Sequence, residues 1–167
     1  MPEAARADAD AVDAIESLAS LLRSREELFR HGMTRTSLER ALREGVLVRV
    51  HRGVFAPADA WGKLWPEERD GLRVMAVEAA TRGAGTVYSH TSAASIGWGL
   101  PFARFSPRHV HTVSEHANGR VSDGLVARHR AALPDGDVVW RNGVLVTSLE
   151  RTVSDLIGVL PVEAGVA

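Results

Sequence analysis

Val12, Ile15, Leu18, Leu21 and Leu22 recur at helical spacing near the start of the chain, behind Asp8, Asp10 and Asp13. The stripe predicts a helix that needs a partner surface, and the acids suit the positive end of its dipole. In the next stretch, SREELFRHG, Ser24 and Glu27 have capping-box spacing and Gly32 is a stop, so a short helix is predicted over Arg25 to His31. The three residues GMT lead to a third helix, capped by Thr34, with Leu38, Ala41 and Leu42 on its core face and Gly45 at its end. VLVRVHRGVFA then alternates apolar and polar and breaks at Arg52-Gly53. This predicts a hairpin with Val46, Val48 and Val50 inward and Leu47, Arg49 and His51 on the opposite face. Two short helices across a tight turn, followed by a hairpin, make the pattern of a winged helix-turn-helix.

Further on the pattern changes. APADAWGKLWPEERD reads as a linker whose Trp61 and Trp65 pack a seam between domains. Pro66 suits the first turn of a helix with Leu72, Met75, Ala76 and Ala79 on its core face and Gly83 at its end. TVYS, HVHTV, LVARHR and DVVWRNGVLVT read as strands, the last a hairpin turning at Asn142-Gly143, with HTSAASIGWG a short helix among them. Thr147 and Glu150 have capping-box spacing ahead of a helix with Leu149, Val153, Leu156 and Leu160 apolar. The predicted fold class is α+β: a winged helix-turn-helix over residues 10–57, followed by a small mixed α/β domain over residues 66–160.

Composition and charge sharpen this. Of 167 residues, 45% are hydrophobic and 25% charged, ordinary globular values that exclude a disordered or fibrous class. No apolar run approaches the roughly 18 residues of a membrane span, the N-terminus lacks a signal peptide's basic start, and a cytoplasmic location is expected. Without cysteine there are no disulfides and no thiolate metal sites. The formal net charge of −1 conceals segregation. Residues 1–22 hold one base and five acids, whereas residues 23–52 hold eight arginines and four acids. An anionic partner would sit on the basic block.

In a helix-turn-helix the second helix enters the major groove, led by its N-terminal residues. Here those are Arg35, Thr36 and Ser37, followed by Arg40 and Arg43. Arginine can bond guanine bidentately, and threonine or serine can reach base edges or phosphate. Arg49, His51 and Arg52 are the corresponding wing residues, placed to meet the phosphate backbone. The competing reading is a solvated surface, in which Arg35–Glu39 and Glu39–Arg43 are ordinary i,i+4 pairs.

The second half offers little catalytic chemistry. Asp135 and Asp137 lack the lysine of a restriction-type nuclease core and the Gly-Ser turn of a nucleotidyl-transfer site. Nothing in the sequence assembles Ser89, His90 and Asp155 into a triad. His109 and His111 alternate onto one strand face, with His116 and His129 possible additions, but zinc normally takes three or four ligands. The expectation is no catalytic residue, no cofactor and no metal. RFSPRHVHT reads instead as a partly exposed basic strand, a second surface for an anionic partner with Arg104, Arg108, Arg128 and Arg130.

The order LLRSREELFRHGMTRTSLERALREGVLVRVHRGVFAP, YSHTSAASIGWGLP, VTSLERTVSDLI resembles the AbiEi-type antitoxin family of bacterial type IV toxin–antitoxin systems, in its actinobacterial form. The resemblance covers about residues 15–160. It implies an N-terminal winged helix that binds and represses the operon's own promoter. It also implies a second domain that supports action against a nucleotidyltransferase-type toxin. By resemblance the DNA role falls on Arg35, Thr36, Arg40, Arg43, Arg49 and Arg52. Many relatives run to nearly twice this length, some carrying a Vsr-like endonuclease domain after the segment matching TVSDLI. The expected partner is double-stranded promoter DNA, with a nucleotidyltransferase-type toxin as a second. Two alternatives stand beside it: the DNA-targeting half of a nuclease, and a protein-interaction module.

Overall fold

A computed structural model describes residues 15–81, 84–100, 109–116, 121–122 and 125–158. Asp8, Asp10, Val12, Asp13, Gly83, Arg104, Arg108 and Leu160, named above, lie outside these residues. The chain divides into two units, residues 1–82 and 83–167.

The first unit opens with helical residues 15–19, α1, and a two-residue strand β1, Arg23–Ser24. Helices α2, Arg25–Arg30, and α3, Arg35–Arg43, follow, then strands β2, Leu47–His51, and β3, Val54–Pro57. The three strands form an antiparallel sheet in the order β1-β3-β2. This is the winged-helix plan of the sequence reading, with one strand more, since β1 is too short to carry a periodic signal.

Local chemistry sets both helix starts. Ser24 Oγ accepts from Glu27 N at 3.1 Å while Glu27 Oε2 accepts from Ser24 N at 2.7 Å. At α3 the box is closed by Ser37 in place of an acid: Ser37 N donates to Thr34 Oγ1 at 3.1 Å and Thr34 N to Ser37 Oγ at 2.8 Å. Gly32 and Gly45 take positive φ, +88° and +68°, where the chain leaves each helix.

The hairpin departs from strict alternation. A register shift between Arg49 and His51 puts an extra residue into β2. Val50 is buried and Val48 packs on the core, but Val46 precedes the strand and is 59% exposed. The expected linker is helix α4, Ala58–Lys63. Its Trp61, expected at a seam between domains, packs on the core of the first unit, and Trp65 is exposed.

Helix α5, Pro66–Thr81, belongs to this unit as well. Its Leu72 and Ala76 are buried against Val50, Val54 and Ala56, with Leu18, Leu21, Leu22, Val48, Trp61 and Leu64 around them. Met75 is half-buried and Ala79 exposed, whereas Val74 and Val77 are buried, so the buried face is centred differently from the expected stripe. The guanidinium of Arg73 pairs with Asp70 and lies 5.3 Å from the Trp61 ring centroid.

The second unit is a mixed six-stranded sheet, order β6-β7-β5-β4-β9-β8. Its strands are β4 Val87–Tyr88, β5 Val110–Ser114, β6 Val121–Ser122, β7 Val126–Arg130, β8 Val138–Arg141 and β9 Val144–Thr147. Parallel pairings join β4 to β9 and β5 to β7; the remaining pairs are antiparallel. Asn142 and Gly143 both have positive φ, as a two-residue hairpin turn requires. Helix α6, His90–Ile96, packs on β5 and β9, and α7, Leu149–Ile157, packs on α6.

The cap of α7 is Ser148, whose Oγ accepts from Arg151 N, and not Thr147. Thr147 is fully buried, sharing a 2.8 Å hydrogen bond with the hydroxyl of Thr152. Along α7, Leu156 and Thr152 are buried while Leu149, Val153 and Ile157 are exposed. Among the described residues no helix is long and apolar enough to cross a membrane.

Candidate nucleic-acid interface

Helix α3 turns one face inward through buried Leu38 and half-buried Ala41 and Leu42. Thr36, Arg40 and Arg43 follow i, i+4, i+7 spacing and share the opposite, exposed face. Arg35 is exposed at the first turn, with Nε 3.8 Å from Glu39 Oε1. At that distance in solvent the pair is weak and leaves Arg35 able to exchange Glu39 for a phosphate. Ser37 differs from the rest: it is half-buried, and its hydroxyl is engaged with Thr34 in the cap. A structural duty therefore occupies that side chain.

The wing residues follow directly. Arg49 is exposed on β2, Arg52 is exposed at the hairpin turn, and His51 is half-buried between them. The bulge lies between Arg49 and His51, so these two do not repeat along the strand as a flat alternation would place them. Gly53 has φ +79°, which closes the turn. Sequence reasoning missed how the wing is fastened. Ser24 pairs with Val54, and the amide of Arg25 donates to Gly53 O at 2.8 Å. The wing turn is thus tied to the first residue of α2.

The second unit contains the residues weighed for catalysis. Asp137 Oδ2 accepts from Arg151 at 2.8 Å and its carbonyl accepts from Ser148 N at 2.8 Å, while Asp135 is exposed. These are turn and ion-pair roles. His90 Nδ1 lies 3.0 Å from Ser89 Oγ and 3.8 Å from Asp155 Oδ2. A triad needs serine and aspartate at opposite ring nitrogens, and here both face the same one.

The histidines are arranged otherwise than expected. His111 does not join His109 and His116 but lies with His90 and His129. One ring nitrogen from each of the three lies within 4.8 Å of the others, and His111 Nδ1 is 2.8 Å from His129 Nε2. Burial, with the neighbouring imidazoles adding to it, pushes the His90 pKa down to about 4 and that of His111 to about 3. His129 is lowered by burial too, against the pull of Asp155. All three rings are neutral at neutral pH.

A two-helix reader, a bulged wing with exposed arginines and a small sheet behind them define the first unit as a winged helix-turn-helix of the DNA-binding type. Residues 14–58 match the model of a family described as transcriptional regulator, AbiEi antitoxin, which bears out the resemblance over the first of the three motif stretches. That family is one of regulators rather than enzymes, and the general role it supports is DNA-binding regulation. No curated protein and no solved structure matches the chain.

Proposed function

We propose that the protein is a sequence-specific repressor that binds its own promoter, the autoregulating antitoxin of a type IV toxin–antitoxin operon. Thr36, Arg40 and Arg43 would meet base edges in the major groove, with Arg35 at the leading end. Arg49, His51 and Arg52 would lie along the phosphate backbone. Ser37 belongs to this set through its position alone, its hydroxyl and its amide both being engaged in the cap of α3. The observation that carries the reading is the exposed Thr36, Arg40, Arg43 face directly opposite the buried face of α3. A cognate nucleotidyltransferase-type toxin is the second partner in this reading, met by the second unit.

The test is a fluorescence-polarisation titration against DNA from immediately upstream of the gene, with scrambled DNA as control. Tighter binding to the upstream DNA is expected. A lost bidentate base contact costs about 1–3 kcal/mol, so Arg40→Ala with Arg43→Ala should weaken specific binding at least about 10-fold. Unchanged affinity in a folded double variant would remove α3 from the interface. Metal-dependent DNA cleavage by this chain would favour the nuclease reading, and absence of binding to any DNA the protein-interaction reading.

A further inference from the structure

Reading DNA with α3 and the wing leaves three clustered histidines of the second unit, His90, His111 and His129, without a role. They come from three separated stretches, and the backbone gathers them. In the parallel pair β5–β7, His111 stands opposite Ala127 and His129 opposite Val113, so the two histidines share a sheet face two residues apart in register. Tyr88 stands opposite Thr112 in the neighbouring strand, and the amide of Ser89 donates to His111 O at 3.0 Å. This brings His90, the next residue, to the same place. Ser92 Oγ accepts from the amide of His111 at 2.8 Å, fixing α6 to β5 there.

Two features set this cluster apart from ordinary core packing. His90 has φ +53°, a conformation that side-chain-bearing residues adopt uncommonly and that collects at functional sites. Asp155 Oδ2 is buried and takes no hydrogen bond from any described residue, although Oδ1 is held by Arg151 Nε at 2.9 Å. A buried carboxylate oxygen without a donor is costly. It faces His90 Nδ1 across 3.8 Å. A carboxylate behind an imidazole is the usual support of a metal-bound histidine, fixing its tautomer and its ring.

We infer that His90, His111 and His129 bind a divalent transition-metal ion of the zinc class, with Asp155 orienting His90. The inference is independent of the DNA-binding reading. An all-imidazole donor set suits zinc and its neighbours and disfavours magnesium and calcium, which take oxygen. At metal–nitrogen distances of about 2.0–2.1 Å, tetrahedral ligands stand about 3.3 Å apart. The 2.8 Å contact between His111 and His129 opens slightly on binding and the wider spacings close. The rings now lie within 16–25° of parallel, so binding turns them about χ2 to aim their lone pairs at one point. That torsion is broad and soft. Three ligands leave a fourth position for water or another donor, and the ion would join α6, β5 and β7.

The experiment uses the full chain without a polyhistidine tag, stripped by chelator and titrated with zinc chloride in competition with a chromophoric chelator. Cobalt chloride serves as the spectroscopic probe. Expected are one ion per chain, visible four-coordinate cobalt bands, and a higher unfolding temperature with zinc. Asp155→Asn should lower affinity roughly 10–100-fold, the effect of losing a supporting carboxylate, and His129→Asn by more. His116→Asn should change nothing. Should a variant fail to fold, the wild type still decides: one equivalent of zinc is expected to shift the imidazole resonances of His90, His111 and His129. Stoichiometric binding absent from the folded wild type, unchanged affinity in folded His129→Asn, or shifts confined to His31 and His116 would overturn the site.

Discussion

At Gly97, which ends α6, a methyl group would stand 2.8 Å from Ala93 O and 2.9 Å from Val146 Cγ2. Neither a backbone oxygen nor a fully buried valine can move aside easily, so Gly97→Ala should destabilise the second unit by about 1–3 kcal/mol, read by urea unfolding. Ser24 carries two loads, a strand pairing with Val54 and the cap of α2. Ser24→Ala is expected to cost about 1 kcal/mol by the same measurement. The backbone amide of Ser24, and then its hydroxyl, hold the Glu27 carboxyl below its ordinary range. A carboxyl lowered in the folded state stabilises above its ordinary pKa, and that contribution is lost as pH falls through the folded value. Glu27→Gln should therefore flatten the acid side of the stability profile. The capping box of α2 was legible because its partners lie three residues apart, whereas at α3 only the Thr34 cap was read, the box there being closed by a serine in place of an acid. The cap of α7 was misplaced by one residue, since Thr147 and Ser148 are chemically alike and only the burial of Thr147 separates them.

Among the elements, α2, α3 and the hairpin could be read from periodicity and turn residues, which are local. Helix α5 could not be assigned to its unit in that way. An apolar stripe announces that a surface is covered without saying which surface covers it, and Leu72 and Ala76 turn out to lie on the wing sheet. Leu72→Ala should therefore destabilise the winged helix by about 2–5 kcal/mol. It should also loosen amide protection in β2 and β3 more than in α7, as hydrogen exchange would record. The bulge in β2 was equally hidden, because the alternation VLVRVHR reads as regular and the extra residue appears only once Phe55 and Val54 supply the partner strand.

For the whole molecule, the fold class followed from the sequence, whereas the order of the six-stranded sheet did not. Its parallel pairings join strands distant in sequence, and it is one of them that carries His129 to His111. A search along one strand therefore put His109 beside His111, held His129 only as a possible addition, and did not bring His90 to them. Every residue assigned to DNA lies in residues 1–82, together with the core beneath the wing. DNA affinity should fall steeply with salt, by about 0.9 in log K per log salt for each phosphate neutralised, and titrations at several salt concentrations give the slope. That slope should shrink by about one on Arg52→Ala, while the preference for upstream over scrambled DNA is retained.

The fastening of the wing to α2, through Ser24 opposite Val54 and the Arg25 amide on Gly53 O, has a consequence for the operator. On the proposed reading, helix pair and wing would approach the duplex as one stamp, tied together at the turn. Any mismatch of shape then falls on the double helix, which must bend or open a groove to meet both surfaces at once. Sequences stiff at the steps between the two footprints would bind more weakly than flexible ones, even with every contacted base unchanged.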